Sequence, residues 1–113
     1  MEVFKGVVQN GARRGSELGY PTVNIPMRDT TVSGVYAGVV TLDGGTHPAA
    51  IFADPLRQVV EAYILDFSED VYGREVSIEL QKKIRDTEVF ADDAALRVAI
   101  AEDVIAVRQY FSV

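Results

Sequence analysis

The stretch that decides the fold runs from Gly34 to Ala53 and reads GVYAGVVTLDGGTHPAAIFA. Its first part, Gly34 to Leu42, is rich in β-branched and aromatic residues, which favour an extended strand. Asp43-Gly44-Gly45 follows directly and is a strong signal for the tight turn of a β-hairpin. We therefore predict a strand over 34–42, a turn, and a second strand over Pro48 to Ala53.

Further strands are predicted on both sides of this hairpin. Upstream, Val3 to Gln9 has the composition of a first strand, and downstream Gln58 to Phe67 (QVVEAYILDF) is the strongest strand candidate in the chain. Glu75 to Lys83 (EVSIELQKK) alternates strictly between polar and apolar residues. Such alternation is typical of a strand with one buried and one wet face.

The pattern changes to a helical one near Asp92. A natural N-cap at Asp92 or Asp93 precedes the change. Together, about six short antiparallel strands and one helix predict a mainly β fold, a small barrel with the helix over one opening. A length of 113 residues suits a single domain, 1–113. The apolar residues then recur at helical spacing, a stripe that we assign to core packing, at Leu96, Ile100, Val104, Val107 and Phe111.

Composition and charge exclude several classes of function. With 17 acidic and 11 basic residues, the net charge of −6 argues against a nucleic acid partner. The absence of cysteine and the single histidine exclude thiolate zinc sites, cysteine nucleophiles and multi-histidine metal sites. No apolar run approaches the roughly 20 residues that span a bilayer. Because a signal-peptide pattern is also missing, we expect a cytoplasmic protein that does not bind membranes.

A glycine-rich segment early in the chain is a candidate binding element. Gly11, Gly15 and Gly19 recur every four residues, so their backbone N–H groups could approach and cradle a phosphate. Arg13 and Arg14 add cationic donors to the same segment. It is not a P-loop, because no Gly-Lys-Ser/Thr follows. A surface turn would explain the spacing equally well.

Thr22 and Asn24, just after Pro21, are candidate metal ligands. Two positions apart in an extended segment, their side chains project from the same face. A hydroxyl and an amide oxygen are hard ligands that suit Mg²⁺, which commonly takes few protein ligands and completes its shell with water and phosphate oxygens. Ordinary turn capping is the alternative explanation.

Two further positions combine charge with an apolar setting. Glu61 lies inside a strand that is apolar on both faces, which is costly unless the carboxylate is paired or functional. It is therefore a candidate proton acceptor, and an edge glutamate that pairs with an arginine is the alternative. Arg85 and Phe90 flank the join between the last strand and the helix, where they either line a pocket mouth or serve as surface charge and core anchor.

Taken together, these segments resemble the riboflavin kinase family, including the kinase module of bacterial bifunctional FAD synthetases. The pieces occur in the family's order with similar spacings along nearly the whole chain. The most specific are the glycine-rich segment that runs into Pro-Thr-x-Asn and the strand Val-Glu-x-x-Ile-Leu-Asp-Phe. The matching segments are FKGVVQNG at 4–11, RGSELGYPTVN at 14–24, SGVYAGVV at 33–40, VEAYILDF at 60–67, VYGREVSIEL at 71–80 and KIRDTEVFADDAAL at 83–96.

The resemblance implies a six-stranded antiparallel Greek-key barrel with a C-terminal α-helix. It also implies an enzyme that transfers the γ-phosphate of ATP to the 5′-hydroxyl of riboflavin, giving FMN and ADP, with Mg²⁺ as cofactor. The partners would then be riboflavin or FMN and ATP or ADP, without nucleic acid. The expected state is a monomer, either free-standing or as a module of a larger FAD synthetase.

The resemblance also implies roles for single residues. Thr22 and Asn24 match the residues that hold Mg²⁺ with the ATP phosphates. Glu61 matches the carboxylate that accepts the proton of the 5′-hydroxyl, and Arg85 matches an arginine of a loop that closes over the flavin. The remaining candidates lie in or just after the nucleotide flap at 11–19, and they are Gly11, Arg13, Arg14, Gly15, Gly19 and Pro21.

One segment departs from the family's pattern. The family has Asn-x-Gly-x-x-Pro-Thr and then a longer loop, whereas Phe52 to Val60 lacks that Asn and Gly and is short. Tyr63 also stands where a histidine is frequent. Since this loop belongs to the ligand-binding end, a second class of function stays open. It is a non-catalytic flavin- or nucleotide-binding module derived from the same fold.

Overall fold

The computed structural model describes residues 2–9 and 17–113. Within these ranges the strands and the long helix give the mainly β architecture that the sequence predicts. In chain order they are β1 (Glu2–Val7), β2 (Val23–Pro26), β3 (Gly34–Leu42), β4 (Gly45–Asp54), β5 (Val59–Ile64), β6 (Glu75–Arg85) and α1 (Asp93–Phe111).

The hairpin predicted from the central stretch is confirmed. β3 and β4 pair antiparallel along their whole length, from Gly34 opposite Ala53 to Leu42 opposite Gly45. The turn between them has positive φ at Asp43 (51°) and Gly44 (81°), the conformation that a two-residue hairpin turn requires. β4 begins at Gly45 rather than at the predicted Pro48, because pairing with β3 continues right up to this turn.

The strands form one antiparallel sheet in the spatial order β1-β6-β3-β4-β5-β2. Within it, β6 lies beside the first of three consecutive strands, β3 to β5, which is the arrangement of a Greek key. The sheet curls until its two ends approach each other. The Gln9 amide, just after β1, donates to the Asn24 carbonyl of β2 at 2.8 Å. The nearly closed six-stranded barrel is therefore confirmed.

The core fills the inside of the barrel, following the strand alternation. In β6 the predicted alternation is confirmed, since the apolar residues are buried and Glu75, Ser77 and Glu79 are not. In β5 the same rule buries every second residue and turns Glu61 outward. The inward-facing residues of these two strands are Val60, Ala62, Ile64, Val76, Ile78 and Leu80.

The paired strands β3 and β6 come very close together at Gly38. The register of this pair shifts twice, between Val35 and Tyr36 and between Ala37 and Gly38. A side chain at Gly38 would collide with the carbonyl oxygen of Glu79, so only glycine fits where the two strands come this close.

Helix α1 has a side-chain cap at its start and a left-handed residue at its end. Asp92 is the N-cap, as one of the two predicted alternatives, and its Oδ1 accepts a hydrogen bond from the Ala95 amide at 2.8 Å. At the C-cap, Ser112 has a φ of 58° and its amide donates to the Gln109 carbonyl. In the part of the chain that the structure describes, no helix is both long and apolar enough to cross a membrane.

The helix packs on the outer wall of the barrel. Val104 and Val107 contact a small apolar cluster that includes Ala37 of β3, Ala50 of β4 and Leu65. The expectation that the helix covers an opening of the barrel is wrong. Small outward-facing alanines on β3 and β4 leave a flat apolar surface, and the helical stripe packs on that surface instead.

Candidate functional site

Two neighbouring cavities lie on either side of Thr22, the residue that precedes β2. The first, called here the Asn24 cavity, has a volume of about 310 Å³ and is lined by Gln9, Pro21, Thr22, Asn24, Phe67 and Asp70 among others. The second, called the Glu61 cavity, has a volume of about 450 Å³, and its walls include Tyr20, Thr22, Arg57, Glu61, Phe90 and Ile100. Thr22 lines both cavities, so it marks the place where they meet.

Asn24 offers an oxygen that has no protein partner within the described ranges. Its side chain is 6% exposed, and its amide nitrogen Nδ2 is tied back to the Thr22 carbonyl at 3.3 Å. The other side-chain atom, Oδ1, is buried and has no hydrogen-bond partner among residues 2–9 and 17–113. Leaving a buried acceptor unsatisfied costs about 1–3 kcal/mol, a cost that a bound cation would remove.

The chemistry of these donors fits Mg²⁺. Both Thr22 and Asn24 line the Asn24 cavity, and both present uncharged hard oxygen atoms. Among residues 2–9 and 17–113, no group of three His, Asp or Glu side chains is placed to hold a metal ion. Water or a bound phosphate commonly completes the shell of a Mg²⁺ ion that has few protein ligands.

Glu61 lies next to Asn24 on the same face of the sheet. The two residues are directly opposite each other in the antiparallel pair of β2 and β5. Opposite residues project from the same face with their Cβ atoms roughly 5 Å apart. The Glu61 side chain is 17% exposed, and its Oε2 lies 3.0 Å from Nη2 of Arg57. Glu61 therefore borders a cavity and pairs with an arginine, although β5 lies between β4 and β2 and is not an edge strand. Its role as proton acceptor stays a prediction.

Arg57 is brought to Glu61 by the short turn between β4 and β5. Asp54 closes this turn, since its Oδ1 accepts hydrogen bonds from the amides of Leu56 and Arg57 at 3.1 and 3.3 Å. Asp54 Oδ2 then accepts from Nε of Arg57 at 2.7 Å. Burial alone would raise the pKa of Asp54, but the hydrogen bonds and charge of Arg57 hold that pKa below its ordinary value. The segment that departs from the family's pattern is therefore an ordered turn.

Arg85 lines the Glu61 cavity, but its guanidinium is already engaged. It binds Asp103 of α1 through two hydrogen bonds, Nε to Oδ1 and Nη2 to Oδ2, each 2.8 Å long. The bond to Asp103 raises the pKa of Arg85, with burial acting in the opposite direction. The guanidinium carbon also lies 5.5 Å from the centre of the Phe90 ring. Arg85 thereby fixes the cavity wall between β6 and α1.

Sequence reasoning missed Asp103 and misjudged part of the helical stripe. Asp103 is 6% exposed and falls three residues after Ile100 and four before Val107, so a carboxylate within the apolar stripe was the available signal. Leu96 and Ile100 line the Glu61 cavity. The prediction that the whole stripe serves core packing is therefore wrong for Leu96 and Ile100, which are only partly buried and border a cavity.

The remaining candidates lie near the junction of the cavities or outside the described residues. Pro21 lines the Asn24 cavity, whereas Gly19 is exposed, with a φ of 91° that favours glycine. Between them, Tyr20 packs edge-on against Tyr63 with the ring centres 5.3 Å apart, so the residue that replaces a frequent histidine forms part of the wall. The candidates outside the described ranges are Gly11, Arg13, Arg14 and Gly15.

Comparisons with known proteins agree on one family. The family model for riboflavin kinase, Flavokinase, matches residues 2–111. The bifunctional riboflavin kinase/FMN adenylyltransferase of Escherichia coli (strain K12) is 36% identical over 120 residues, which cover 96% of this chain and 37% of that protein. The chain thus spans little more than a third of the length of this relative.

Two crystal structures share the fold. Riboflavin kinase from Trypanosoma brucei superposes with a TM-score of 0.67 at 26% identity, covering 97% of this chain and 79% of that one. A Streptococcus pneumoniae protein named as a macrolide-efflux protein superposes with a TM-score of 0.80 at 28% identity, covering 94% of this chain and 38% of that one. The family model, which matches the chain almost from end to end, confirms the resemblance indicated by the motifs: the chain belongs to the riboflavin kinase family.

Proposed function

We propose that this protein is an Mg²⁺-dependent riboflavin kinase that transfers the γ-phosphate of ATP to the 5′-hydroxyl of riboflavin. The observation that carries the proposal is the position of Thr22 between two cavities. Asn24, whose buried side-chain oxygen has no hydrogen-bond partner among the described residues, lines one cavity, and Glu61 lines the other. A phosphate donor held on one side and a hydroxyl held on the other would meet at this junction.

The Asn24 cavity is proposed as the nucleotide side. Thr22 and Asn24 would hold Mg²⁺ there through their side-chain oxygens, and the ion, when bound, supplies neutralisation of the phosphate charge. The backbone of the glycine-rich segment and the cations Arg13 and Arg14 are proposed to contact the phosphates, as the family resemblance implies. Pro21 and Gln9 give this cavity a wall of fixed backbone, because Gln9 is bonded to β2.

The Glu61 cavity is proposed as the flavin side. Its volume of about 450 Å³ is within the range of pockets that hold small organic ligands. Apolar walls from Val35, Phe90, Leu96 and Ile100 suit a flat aromatic ring system. Glu61, at the end of this cavity next to Asn24, would orient the 5′-hydroxyl and accept its proton during phosphoryl transfer.

Turnover in solution tests the proposal. Purified protein with riboflavin, ATP and Mg²⁺ is expected to form FMN and ADP in equal amounts, followed by chromatography, and chelation of the metal should stop the reaction. Formation of ADP without FMN would contradict the assigned acceptor.

The alternative is a flavin- or nucleotide-binding module without turnover. It is favoured by the short turn at 55–58 and by the ion pair that already occupies one oxygen of Glu61. Saturable quenching of riboflavin fluorescence in the absence of any FMN formation would support this alternative over the kinase.

The wider assignments follow from the same family. We propose that residues 1–113 form a single domain, that its product is FMN and not FAD, and that it acts in the cytoplasm as a monomer or as a module of a larger FAD synthetase. The chain covers 37% of the E. coli relative, which is a bifunctional protein, and this coverage supports the proposal of a module.

A further inference from the structure

The β4–β5 turn delivers a cation to the carboxylate proposed as the base. Arg57 stands four residues before Glu61, and its Nη2 lies 3.0 Å from Glu61 Oε2. The same guanidinium is held from its other side by Asp54, whose Oδ2 lies 2.7 Å from Nε. Asp54, Arg57 and Glu61 all line the Glu61 cavity. The three side chains therefore form one hydrogen-bonded chain along its wall.

Asp54 holds the guanidinium of Arg57 in place, and this guanidinium in turn holds Glu61. Asp54 binds both the backbone and the side chain of Arg57, so the arginine side chain has few conformations open to it. The hydrogen bond to Asp54 raises the pKa of Arg57, with burial opposing and the charge of Glu61 adding to the rise. Arg57 is thus a permanently charged, oriented donor. A flexible glutamate side chain bonded to it is confined to few rotamers.

Riboflavin carries no anionic group, and Arg57 lines the cavity proposed for the flavin but not the one proposed for the nucleotide, which argues against Arg57 as a ligand for substrate charge. Its bonds are directed at two carboxylates of this chain, and both of these side chains are less exposed than its own, at 14% and 17% against 43%. The contact to Glu61 uses Oε2. It therefore leaves Oε1 as the oxygen that would accept the proton.

We propose that Arg57 is a positioning residue for catalysis, which holds Oε2 of Glu61 so that Oε1 points at the 5′-hydroxyl of the flavin substrate. The proposal rests on the proposed kinase function. In this role Arg57 acts through Glu61 alone and touches neither substrate. Misplacing a catalytic group by an ångström can cost about 10²-fold in rate, so the effect should be visible in kcat.

The test compares Arg57→Ala and Arg57→Lys with Arg74→Ala, each in the wild type and in Glu61→Gln. Arg74 is a suitable control because it also pairs with an aspartate, Asp43, but lines neither cavity. Steady-state and single-turnover FMN formation give kcat and both KM values, and thermal unfolding reports whether each variant folds.

We expect Arg57→Ala to lower kcat by roughly 10- to 100-fold while the KM values for riboflavin and ATP stay unchanged. Arg57→Lys should recover part of the loss, because an ammonium can still bond Oε2. In the Glu61→Gln background, Arg57→Ala should cause no further loss, since the residue acts only through that carboxylate. Arg74→Ala should behave as wild type.

Three results would overturn the positioning role. They are an Arg57→Ala kcat equal to that of Arg74→Ala, a rise in the KM for riboflavin without loss of kcat, or an equal loss in the Glu61→Gln background. In each of these cases a wild type that forms FMN keeps the proposed function intact. A wild type that forms no FMN would instead remove both the function and the role.

Discussion

Asn24 and Glu61 face each other across two antiparallel strands, and Thr22 lies between the cavities that they border. Each of these side chains contributes a different property. Asn24 has a buried oxygen without a hydrogen-bond partner among the described residues, Thr22 has a hydroxyl and lines both cavities, and Glu61 has the carboxylate that we propose as the proton acceptor. At the scale of single residues, the proposed reaction needs these oxygens close together, and the pairing of β2 with β5 places Asn24 directly opposite Glu61.

Replacing the proposed base is the most direct residue-scale prediction. Glu61→Gln keeps the size of the side chain but removes the proton acceptor, and general base catalysis typically contributes about 10²- to 10⁴-fold. We expect kcat for FMN formation to fall by that factor while riboflavin binding, followed by fluorescence quenching, is largely retained. Glu75→Gln, an exposed glutamate on β6, is the matched control. Full activity of Glu61→Gln would refute its role as the base.

The proposed metal ligands make a separate prediction. Thr22→Ala and Asn24→Ala should lower the rate and also raise the Mg²⁺ concentration needed for half-maximal activity, by roughly 10-fold or more. The exposed Thr30→Ala variant serves as control. Titrations of activity with Mg²⁺ at saturating ATP measure the effect. An unchanged metal requirement in both variants would show that neither side chain binds the ion.

At the scale of elements, the site depends on how short segments are held against the barrel. The β4–β5 turn is fixed by Asp54, and the segment that follows β6 is fixed to α1 by the pair of Arg85 and Asp103. Both devices use a carboxylate that is largely buried and satisfied by an arginine, at 14% and 8% side-chain exposure. They give the Glu61 cavity firm walls at the ends of β4 and β6.

The close approach of the paired strands β3 and β6 at Gly38 predicts how a substitution there changes the stability of the protein. Gly38→Ala would place a methyl group against the Glu79 carbonyl oxygen and the Ile51 side chain, so the two strands would have to separate. Overpacking of this kind costs typically about 1–3 kcal/mol of unfolding free energy, and backbone displacement adds to it. Urea unfolding measures the change. Gly45→Ala is the matched control, because its methyl group would make ordinary contacts, with the Leu42 carbonyl oxygen at 3.5 Å and with Nε2 of His47 at 3.6 Å. Equal stability of the two variants would contradict the close approach of β3 and β6 at Gly38.

At the scale of the whole molecule, acidic side chains outnumber basic ones, and several of them pair with cations. Hydrogen bonds from Arg108 and Lys83 lower the pKa values of Asp66 and Asp86, and the bonds from Arg57 outweigh burial at Asp54. In each case the pKa in the folded state lies below the ordinary value of 3.8. Since the unfolded chain then binds protons more readily, acid favours unfolding.

The resulting prediction concerns acid stability. The contribution of these carboxylates should be fully present above their ordinary pKa of 3.8 and should be lost as the pH falls through the lower folded values. We therefore expect the free energy of unfolding, from urea titrations at a series of pH values, to decline below about pH 4. Asp54→Asn should weaken that decline, because the asparagine does not titrate. A pH dependence identical to wild type would show that Asp54 contributes nothing to it.

The sequence alone predicted the family and the elements of the described residues except β2 (Val23–Pro26), for which no strand was predicted. Alternating residues in 75–83, the Asp43-Gly44 turn and the stripe after Asp92 are local signals, and local backbone preferences and side-chain periodicity are enough to place strands, turn and helix. The motif around Thr22 and Asn24 and the strand around Glu61 also identified the family from short runs of residues.

Only the tertiary structure decided which of these residues meet. The Asn24–Glu61 register, the bond between Arg85 and Asp103 eighteen positions apart, and the helix on the outer wall all join segments that are distant in sequence. Such contacts depend on how the sheet closes and on which side chains then share a buried surface. A pattern of local periodicity carries no record of that closure, so the walls of the Glu61 cavity were set by the fold.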